Sequence, residues 1–470
     1  MIFRRLYHDR LAQASYLIAC ESTRQALIVD PVRDPGPYLE AAAREDVRIA
    51  FVTETHLHAD FLSGAEALAN AVGAELLLSV EGDAVSGMGR ALRTGARPLR
   101  EGDSVNVGAI RIDVRHSPGH TPEHLTFVVT DLAIGPLPVG LLSGDFLFAG
   151  DVGRPDLLER AVGVKGSMKD SARQLYRSLQ ALRTLPEYLQ VWPGHGAGSA
   201  CGKSLGAVPQ TTLGYELRAN WAFHSRDEQS FVEEALRDQP DPPAYFGRMK
   251  ELNANGVPPM PVIEPRSEPE LLKAVREGAR VVDVRSSADF LSGHLPGSLS
   301  IPLSRTFLHW AGSLLDPRSE VVLVANPPVT HAARDAMYDL ALIGFDRVLG
   351  ALQPSVLRAL APDGLESIPI ISAAELAAES DVRTILDVRN DAEWNAGHVP
   401  GAIHVPLSQL PARIAELRDA GPIAVHCQGG SRSAIAASFL RARGIAEITD
   451  VEGGYPAWLR ATNAVARDER

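Results

Sequence analysis

The chain has 470 residues, of which 45% are hydrophobic and 22% are charged. A chain of this length is too long for a single hydrophobic core, so about two to four domains are expected. Its formal net charge of −12 argues against a nucleic-acid or anionic-membrane partner. Three cysteines, no signal-peptide pattern and no apolar run near the roughly 18 residues of a membrane span lead us to expect a cytoplasmic protein without a membrane partner.

The first half of the chain alternates predicted strands and helices. Apolar, β-branched runs predict strands, and Ala-rich amphipathic runs predict helices. Such interleaving favours an α/β sandwich. Strands are predicted over 13–20, 26–30, 49–53, 75–80, 105–116 and 125–130, and helices over 37–45 and 64–72.

Polar side chains follow four of the strand-like runs. The segment 53–61, Thr-Glu-Thr-His-Leu-His-Ala-Asp-Phe, places two imidazoles two residues apart, with a carboxylate two residues further on. This is the spacing of a metal site, because histidine nitrogens are good ligands and a carboxylate adds charge or orients a ligand. The candidate residues are His56, His58, Asp60, His120, Asp145 and His195.

This set of motifs, in this order, resembles the metallo-β-lactamase fold, an αββα sandwich. Two-metal hydrolases of that family, such as glyoxalase II, carry a histidine at the position of Phe61. A phenyl ring cannot bind a metal, so the resemblance implies one metal ion held by His56, His120 and Asp145. Two histidines and one carboxylate with open positions suit Fe(II) and O2. Within the family the chain therefore resembles the persulfide dioxygenases, with one Fe(II) per chain.

The same resemblance assigns roles to the neighbouring residues. His58, Asp60 and His195 are expected to orient the metal ligands through hydrogen bonds. Arg154, in a Gly-Arg-Pro-Asp motif, matches an arginine that lies near the carboxylate of the thiol substrate; the alternative is an ordinary surface arginine. The implied reaction oxidises a low-molecular-weight thiol persulfide, such as glutathione persulfide, to sulfite.

The second half of the chain is an internal duplication. Proline-dense segments at 238–243 and 257–261 predict a domain boundary near 262. Beyond it, an Asp-Val-Arg motif and a Gly-His-X-Pro-Gly motif each recur 104 residues later, Asp283 matching Asp387 and His294 matching His398. Both copies resemble the rhodanese fold, an α/β domain with a parallel sheet. The predicted domains are 1–262, 263–362 and 363–470.

The second copy holds a cysteine where a predicted strand meets a predicted helix. There, backbone N–H groups and the helix dipole favour a thiolate at Cys427, and Arg432 adds positive charge. The arginine follows the cysteine by five residues, whereas cysteine phosphatases use six. The shorter loop matches sulfurtransferases, which carry a persulfide on the cysteine. The residues of this sulfur-binding loop are Gln428, Gly429, Gly430 and Ser431.

The first copy has Asn326 followed by two prolines where the second has its cysteine loop. It offers no thiol, and proline has no N–H to donate to an anion. We predict that this copy is catalytically inactive. It would serve as a spacer, a dimerisation surface or a wall of the active site.

Taken together, the motifs predict a persulfide dioxygenase fused to an inactive and an active rhodanese domain. The expected small molecules are a thiol persulfide, O2, sulfite and thiosulfate, and the expected assembly is a homo-oligomer, a dimer or a tetramer. Two alternatives remain open. One is a glyoxalase II-like hydrolase of thioesters with two zinc ions and an appended sulfurtransferase. The other is a sulfur-relay carrier with a degenerate metal domain.

Overall fold

A computed structural model describes residues 1–82, 88–203, 205–378 and 383–468. The chain divides into two compact units, one of Met1–Met260 with Leu342–Gly344 and one of Pro261–Ala341 with Phe345–Arg470. Within the described residues no helix is long and apolar enough to cross a membrane. The further division at 362 stays a prediction.

The first unit contains two six-stranded sheets. The first runs in the order β1 (Ile2–His8), β2 (Gln13–Ala19), β3 (Gln25–Val29), β4 (Arg48–Thr53), β5 (Glu75–Ser79) and β6 (Arg97–Leu99). In the second, neighbouring strands are also consecutive in sequence: β7 (Ser104–Val107), β8 (Ile110–His116), β9 (Leu125–Asp131), β10 (Gly140–Gly144), β11 (Gln190–Pro193) and β12 (Thr211–Thr212).

Eight α-helices belong to the described part of this unit. They are α1 (Gly36–Arg44), α2 (Ala65–Val72), α3 (Met88–Thr94), α4 (Leu157–Arg160), α5 (Ser167–Leu182), α6 (Leu213–Ala219), α7 (Glu228–Leu236) and α8 (Phe246–Asn255). A 3-10 turn covers Trp221–Phe223.

The packing of these elements is an αββα sandwich, as the sequence predicts. Alternate residues of β2, such as Tyr16 and Ile18, face the second sheet and share a core with Phe127 of β9 and Trp192 of β11. Helices α1 and α2 cover the outer face of the first sheet. Leu175 of α5 lies in the core cluster that covers the outer face of the second. Apolar surface is thereby removed from water on both faces of each sheet.

The predicted elements match the structure to within one or two residues at most ends, with one correction. The strand expected over 105–116 is two antiparallel strands, β7 and β8, turned at Gly108. Gly108 has φ +59°, and a Cβ there would collide with Thr23 and Cys20. The apolar positions change phase across this turn, from Val105 and Val107 to Ile110 and Ile112, so the break was present in the sequence and was overlooked.

The second unit contains two all-parallel sheets, one for each repeat. The first has the order β14 (Leu299–Ser300), β13 (Arg280–Asp283), β15 (Val321–Val324) and β16 (Val348–Leu352). The other has the order β17 (Ile370–Ser372), β21 (Ile448–Glu452), β20 (Ile423–His426), β18 (Thr384–Asp387) and β19 (Ile403–His404).

The described helices of the second unit surround these sheets. They are α9 (Glu268–Arg276), α10 (Ser287–Ser292), α11 (Phe307–Leu314), α12 (Val329–Leu342), α13 (Ala373–Ala378), α14 (Asp391–Asn395), α15 (Leu410–Arg413), α16 (Ser431–Arg441) and α17 (Gly454–Asp468). Two 3-10 turns cover Pro354–Ala359 and Ile414–Leu417.

The two repeats share a hydrophobic core. Phe290 and Leu314 of the first repeat belong to the same buried cluster as Val425 and Phe439 of the second. Helix α16, which follows Cys427, contacts β14 and α10 of the first repeat. The first repeat therefore covers the helix on which the cysteine loop of the second is built.

Candidate metal centre and sulfur-transfer site

Three predicted metal ligands converge at the carboxyl ends of strands in the first unit. His56 follows β4, His120 lies beyond β8, and Asp145 follows β10; all three are buried. Nε2 of His56 lies 3.8 Å and Nε2 of His120 lies 3.5 Å from Oδ2 of Asp145. One ligand atom from each of the three residues lies within 4.8 Å of the others, a spacing at which they could hold one ion.

Hydrogen bonds to the far side of each imidazole leave these Nε2 atoms free to bind a metal. Nδ1 of His56 donates to Oγ1 of Thr55 at 2.9 Å, and that hydroxyl donates onward to Asp30. Nδ1 of His120 donates to the backbone carbonyl of Arg154 at 3.1 Å. Burial lowers the pKa of both histidines, and at His120 the Asp145 carboxylate only partly opposes it, so both are neutral near pH 7. A neutral imidazole is the form that binds a metal.

The carboxylate of Asp145 completes the donor set. Its Oδ1 accepts a hydrogen bond from Nδ1 of His195 at 2.6 Å, whereas its buried Oδ2 has no hydrogen-bond partner among the described residues. A buried carboxylate oxygen without a partner is costly, and a cation compensates that cost. Burial alone would raise the pKa of Asp145, but the charge and hydrogen bond of His195 lower it well below its usual range. Two neutral imidazoles and this carboxylate fit a divalent transition metal.

His195 joins two carboxylates. Its Nε2 lies 2.7 Å from Oδ2 of Asp60, opposite the bond to Asp145. Burial would lower the pKa of His195, but Asp145 and Asp60 raise it to about 10. With both nitrogens engaged, His195 holds the Asp145 carboxylate in one orientation.

Sequence reasoning missed a buried carboxylate beneath the metal loop. Asp30 directly follows β3, accepts the backbone N–H of Thr55 at 2.6 Å, and lies 3.2 Å from Nε2 of His58. Burial opposes protonation of His58, but Asp30 and the nearby acids raise its pKa above the ordinary value. The signal was present, since an acidic residue ends the apolar run 26–30 just as Asp145 ends its own.

Helix α8 fixes the same loop from the other side. The side-chain amide of Asn253 donates to the carbonyls of His58 and Phe61 at 2.9 and 2.8 Å. The Phe61 ring is fully buried and stacks on His58 with centroids 4.4 Å apart. Lys250, one turn earlier on α8, is buried, and its positive charge contributes to the lowered pKa of His56. No sequence motif points to Asn253 or Lys250.

The predicted cysteine loop joins β20 to α16 in the second unit. Cys427 is 1% exposed, and its Sγ accepts the backbone N–H of Gly430 at 3.1 Å. Gly430 has φ +94°, a conformation that favours glycine and turns the chain into the helix. On the open side of the loop, Gln428, Gly429 and Ser431 are exposed. The loop that the sequence predicts therefore lies at the surface, with the thiol buried beneath it.

Arg432 lies near the cysteine but is paired with an acid. Its two terminal nitrogens donate to the two carboxylate oxygens of Glu393, each at 2.7 Å. His309, on α11 of the first repeat, is partly buried, and burial with the charge of Arg432 lowers its pKa to about 4. The first repeat thus reaches the surroundings of the cysteine loop.

Comparison with known proteins agrees with this geometry. The metallo-beta-lactamase superfamily model matches residues 8–195, and the rhodanese-like domain model matches residues 267–349 and 372–461. A crystal structure of a metallo-beta-lactamase from Staphylococcus aureus subsp. aureus COL is 37% identical, covering 75% of this chain and 99% of that one, with a TM-score of 0.67. The chain belongs to the metallo-β-lactamase superfamily. It carries two rhodanese-like domains after its metallo-β-lactamase domain.

Relatives of the metallo-β-lactamase domain fall into two groups by name. The persulfide dioxygenase ETHE1 of Homo sapiens is 27% identical over 198 residues, which are 42% of this chain and 68% of that protein. A hydroxyacylglutathione hydrolase-like protein of Homo sapiens is 33% identical over 180 residues, 38% of this chain and 54% of that protein. Sequence identity alone therefore does not decide between a dioxygenase and a hydrolase.

Of the two interpretations of Arg154, the structure contradicts the surface arginine, and the substrate-binding role stays a prediction. Arg154 is fully buried in the metallo-β-lactamase domain, so it is not a surface arginine. Nε and one terminal nitrogen form a fork with Asp156 at 2.8 and 2.7 Å, and the guanidinium also donates to the carbonyls of Ala200 and Pro240. All three guanidinium nitrogens have protein partners in this structure. A Gly-Arg-Pro-Asp motif does not reveal that the arginine pairs with its own aspartate.

A second cluster lies beside the metal ligands of the metallo-β-lactamase domain. Ligand atoms of Asp60, His195 and Cys201 lie within 4.8 Å of one another. Asp60 and His195 already hydrogen-bond to each other, and burial raises the pKa of the Cys201 thiol well above its usual range. By spacing alone, these three groups could also hold an ion.

Proposed function

We propose that the metallo-β-lactamase domain oxidises a low-molecular-weight thiol persulfide with O2, and that Cys427 transfers sulfane sulfur. The observation that carries the proposal is the ligand set: His56, His120 and the unpartnered Oδ2 of Asp145 stand beside Phe61, which cannot bind a second ion. Three protein ligands leave positions open for sulfur and for O2. Glutathione persulfide is the proposed substrate.

One Fe(II) per chain is the proposed cofactor, and it would supply the redox chemistry with O2 once bound by His56, His120 and Asp145. The protein contributes a buried, oriented donor set. His195 turns Oδ2 of Asp145 inward, and the carbonyl of Arg154 fixes the His120 ring. Overall, persulfide, O2 and water give sulfite, the free thiol and two protons.

Cys427 is the proposed sulfur carrier of the second rhodanese-like domain. Its thiolate attacks the outer sulfur of a sulfane donor such as thiosulfate. The sulfur–sulfur bond of the donor breaks, its electron pair leaves on sulfite, and a persulfide remains on Cys427. The N–H of Gly430 and the N-terminus of α16 stabilise the negative sulfur. The two domains would then link persulfide, sulfite and thiosulfate.

Paired variants test whether the two activities are separate. Asp145→Asn keeps the shape of the side chain but removes its charge, so oxygen uptake with glutathione persulfide is expected to be lost. Thiosulfate-dependent sulfur transfer by Cys427 is expected to stay within about twofold of wild type in that variant. Cys427→Ser is expected to do the reverse. Loss of both activities in either folded variant would contradict the proposal.

A dinuclear thioester hydrolase is the second candidate. The cluster of Asp60, His195 and Cys201 favours it, because it offers ligands where a second ion would sit. Zinc-loaded protein that holds two ions per chain and hydrolyses a glutathione thioester would establish this candidate. One ion per chain without hydrolysis would exclude it.

The proposed setting is the reducing cytoplasm, because the chemistry of Cys427 needs a free thiol. Cys20, Cys201 and Cys427 are all unpaired. The proposed partners are small sulfur compounds and O2. A homo-oligomer, dimer or tetramer, stays a prediction.

A further inference from the structure

A buried lysine on helix α8 faces the metal loop, residues 54–64 between β4 and α2. Lys250 is 7% exposed and lies three residues before Asn253. The amide of Asn253 donates to the carbonyls of His58 and Phe61 in that loop at 2.9 and 2.8 Å. Residues three apart in a helix share a face, so Lys250 lies on the face of α8 that packs against the metal loop.

The ammonium group of Lys250 has no protein partner. It forms no hydrogen bond and no ion pair with any residue in the part of the chain that the structure describes. Its own helix supplies no acid, because the residues three and four positions away are Phe246, Gly247, Asn253 and Ala254. A lysine is rarely buried without a partner, since removing its charge from water is costly. The position therefore offers an unpaired positive charge to a bound anion.

The buried carboxylates next to the metal loop already have other partners. These pairs are Asp30 with the N–H and hydroxyl of Thr55, Glu54 with Arg90, Glu123 with the N–H of Leu57, and both Asp60 and Asp145 with His195. None of these acids forms an ion pair with Lys250. The charge of Lys250 is therefore not neutralised by the site that it faces.

That charge reaches both proposed histidine ligands. Burial is the main cause of the lowered pKa of His56 and of His120, and the positive charge of Lys250 contributes at each ring. The two rings come from different loops, and their Nε2 atoms converge on Oδ2 of Asp145. A cation that acts on both rings lies near this point of convergence. Because like charges repel, Lys250 does not serve to hold the metal ion itself.

We propose that Lys250 binds the anionic sulfur group that enters the metal site, first the terminal sulfur of the thiol persulfide and then sulfite. This inference rests on the proposed function. A persulfide carries one negative charge and sulfite carries up to two. The contact with the ammonium group therefore strengthens as negative charge grows during the reaction. Lys250 would be a contact of the reacting sulfur, supplied by a helix that brings no metal ligand.

The test is sulfite binding to the zinc-loaded full chain, measured by isothermal titration calorimetry, with imidazole as a neutral ligand for comparison. Zinc has no redox chemistry, so binding is measured apart from oxidation. Lys250→Met keeps an apolar side chain of similar length but removes the charge. It is expected to weaken sulfite binding about tenfold and to leave imidazole binding within about twofold of wild type.

Two further variants complete the design. Lys250→Arg keeps the charge and is expected to bind sulfite within about threefold of wild type. Lys169→Met removes an exposed lysine of α5 in the same unit and is the matched control, with sulfite binding expected to be unchanged. Zinc is expected to stay bound in Lys250→Met, because the loss of a like charge favours a metal ion.

Equal weakening of sulfite and imidazole binding in Lys250→Met would overturn the inference, because it would show a general change in the site. Unchanged sulfite binding in that variant, loss of its zinc, or a wild type that binds no sulfite would each do the same. If sulfite affinity falls selectively but iron-loaded wild type takes up no oxygen, the proposed function is wrong and the anion contact stands. Oxygen uptake by wild type with unchanged sulfite affinity in Lys250→Met contradicts only this inference.

Discussion

His120 donates its Nδ1–H to the backbone carbonyl of Arg154 over 3.1 Å. Arg154 therefore touches a metal ligand through its main chain, while its guanidinium is bound to Asp156. The contact orients the imidazole and adds electron density to it, as carbonyl partners of metal-binding histidines do. The main chain of Arg154 therefore orients a proposed metal ligand, whatever its side chain binds.

Arg154→Met is accordingly expected to destabilise the fold. The substitution leaves the buried Asp156 carboxylate with only the more distant Arg160 as an ion-pair partner. Removing one partner of a buried ion pair lowers the free energy of unfolding by about 3–5 kcal/mol. Urea unfolding of the two proteins measures it. Arg160→Met is the control, because Arg160 is partly exposed and reaches Asp156 only at 3.5 Å. Normal stability combined with a raised KM for glutathione persulfide would restore the substrate-binding role that the motif suggested.

His195→Asn is expected to weaken metal binding about 10–100-fold without abolishing it. The reason is that His195 orients Asp145 and is not among the three proposed ligands. Competition with a chelator gives the affinity. His224→Asn, an exposed histidine of the same unit, should leave it unchanged. Complete loss of the metal in His195→Asn would mean that His195 is itself a ligand.

Phe61→His is expected to raise the zinc content from one to two ions per chain. It returns an imidazole beside Asp60 and His195, whose ligand atoms already lie close together. Metal analysis after zinc loading checks this, with Phe61→Leu as the control for lost ring volume. A wild-type chain that already binds two zinc ions would contradict the role given to Phe61.

Gly454→Ala is expected to lower the rate of sulfur transfer by more than its loss of folding stability would account for. A Cβ at this position, which has φ +58°, would lie 2.2 Å from the carbonyl oxygen of Cys427 and would displace the loop. Gly421→Ala is the matched control, since Gly421 has φ +70° with nothing within 4 Å. Both variants bear the conformational cost of about 1 kcal/mol. Equal activity of the two in a thiosulfate assay would rule out the collision.

The buried carboxyl of Asp450, on β21, makes the stability of the fold depend on pH. Its pKa is raised to about 7 in the folded chain, so the unfolded chain ionises first and the folded state loses stability as pH rises from about 4 to about 7. Asp450→Asn cannot ionise and escapes this loss. Its Tm relative to wild type is therefore expected to increase between pH 5 and pH 8. A constant difference in Tm across that range would contradict the buried, neutral carboxyl.

The sequence was most informative where a histidine or an aspartate directly follows a predicted strand. His56, His120 and Asp145 each come after an apolar run, and the carboxyl ends of β4 in one sheet and of β8 and β10 in the other meet at the same end of the sandwich. Asp30 follows the same rule and was overlooked because it stands alone, without a second polar residue at metal-site spacing. The repeat was equally readable, since a constant offset of aspartate, histidine and proline needs no three-dimensional knowledge.

Partners distant in sequence could not be predicted. Asn253 is 195 residues from His58, yet its amide fixes the metal loop. Glu393 pairs with Arg432 across 39 residues, and one acidic residue in a helix looks like any other. Asp450 lies in a run that reads as an ordinary strand, and only the packing of α16 against β21 reveals its neighbour Ser433. Side-chain direction decides these contacts, and periodicity does not specify it.

The measurement that tests the account most directly is oxygen uptake by anaerobically purified, iron-loaded protein on addition of glutathione persulfide, with metal content determined on the same sample. We expect oxygen uptake with about one iron per chain and formation of sulfite or thiosulfate. No uptake, together with two zinc ions per chain and hydrolysis of a glutathione thioester, would contradict it and establish the hydrolase.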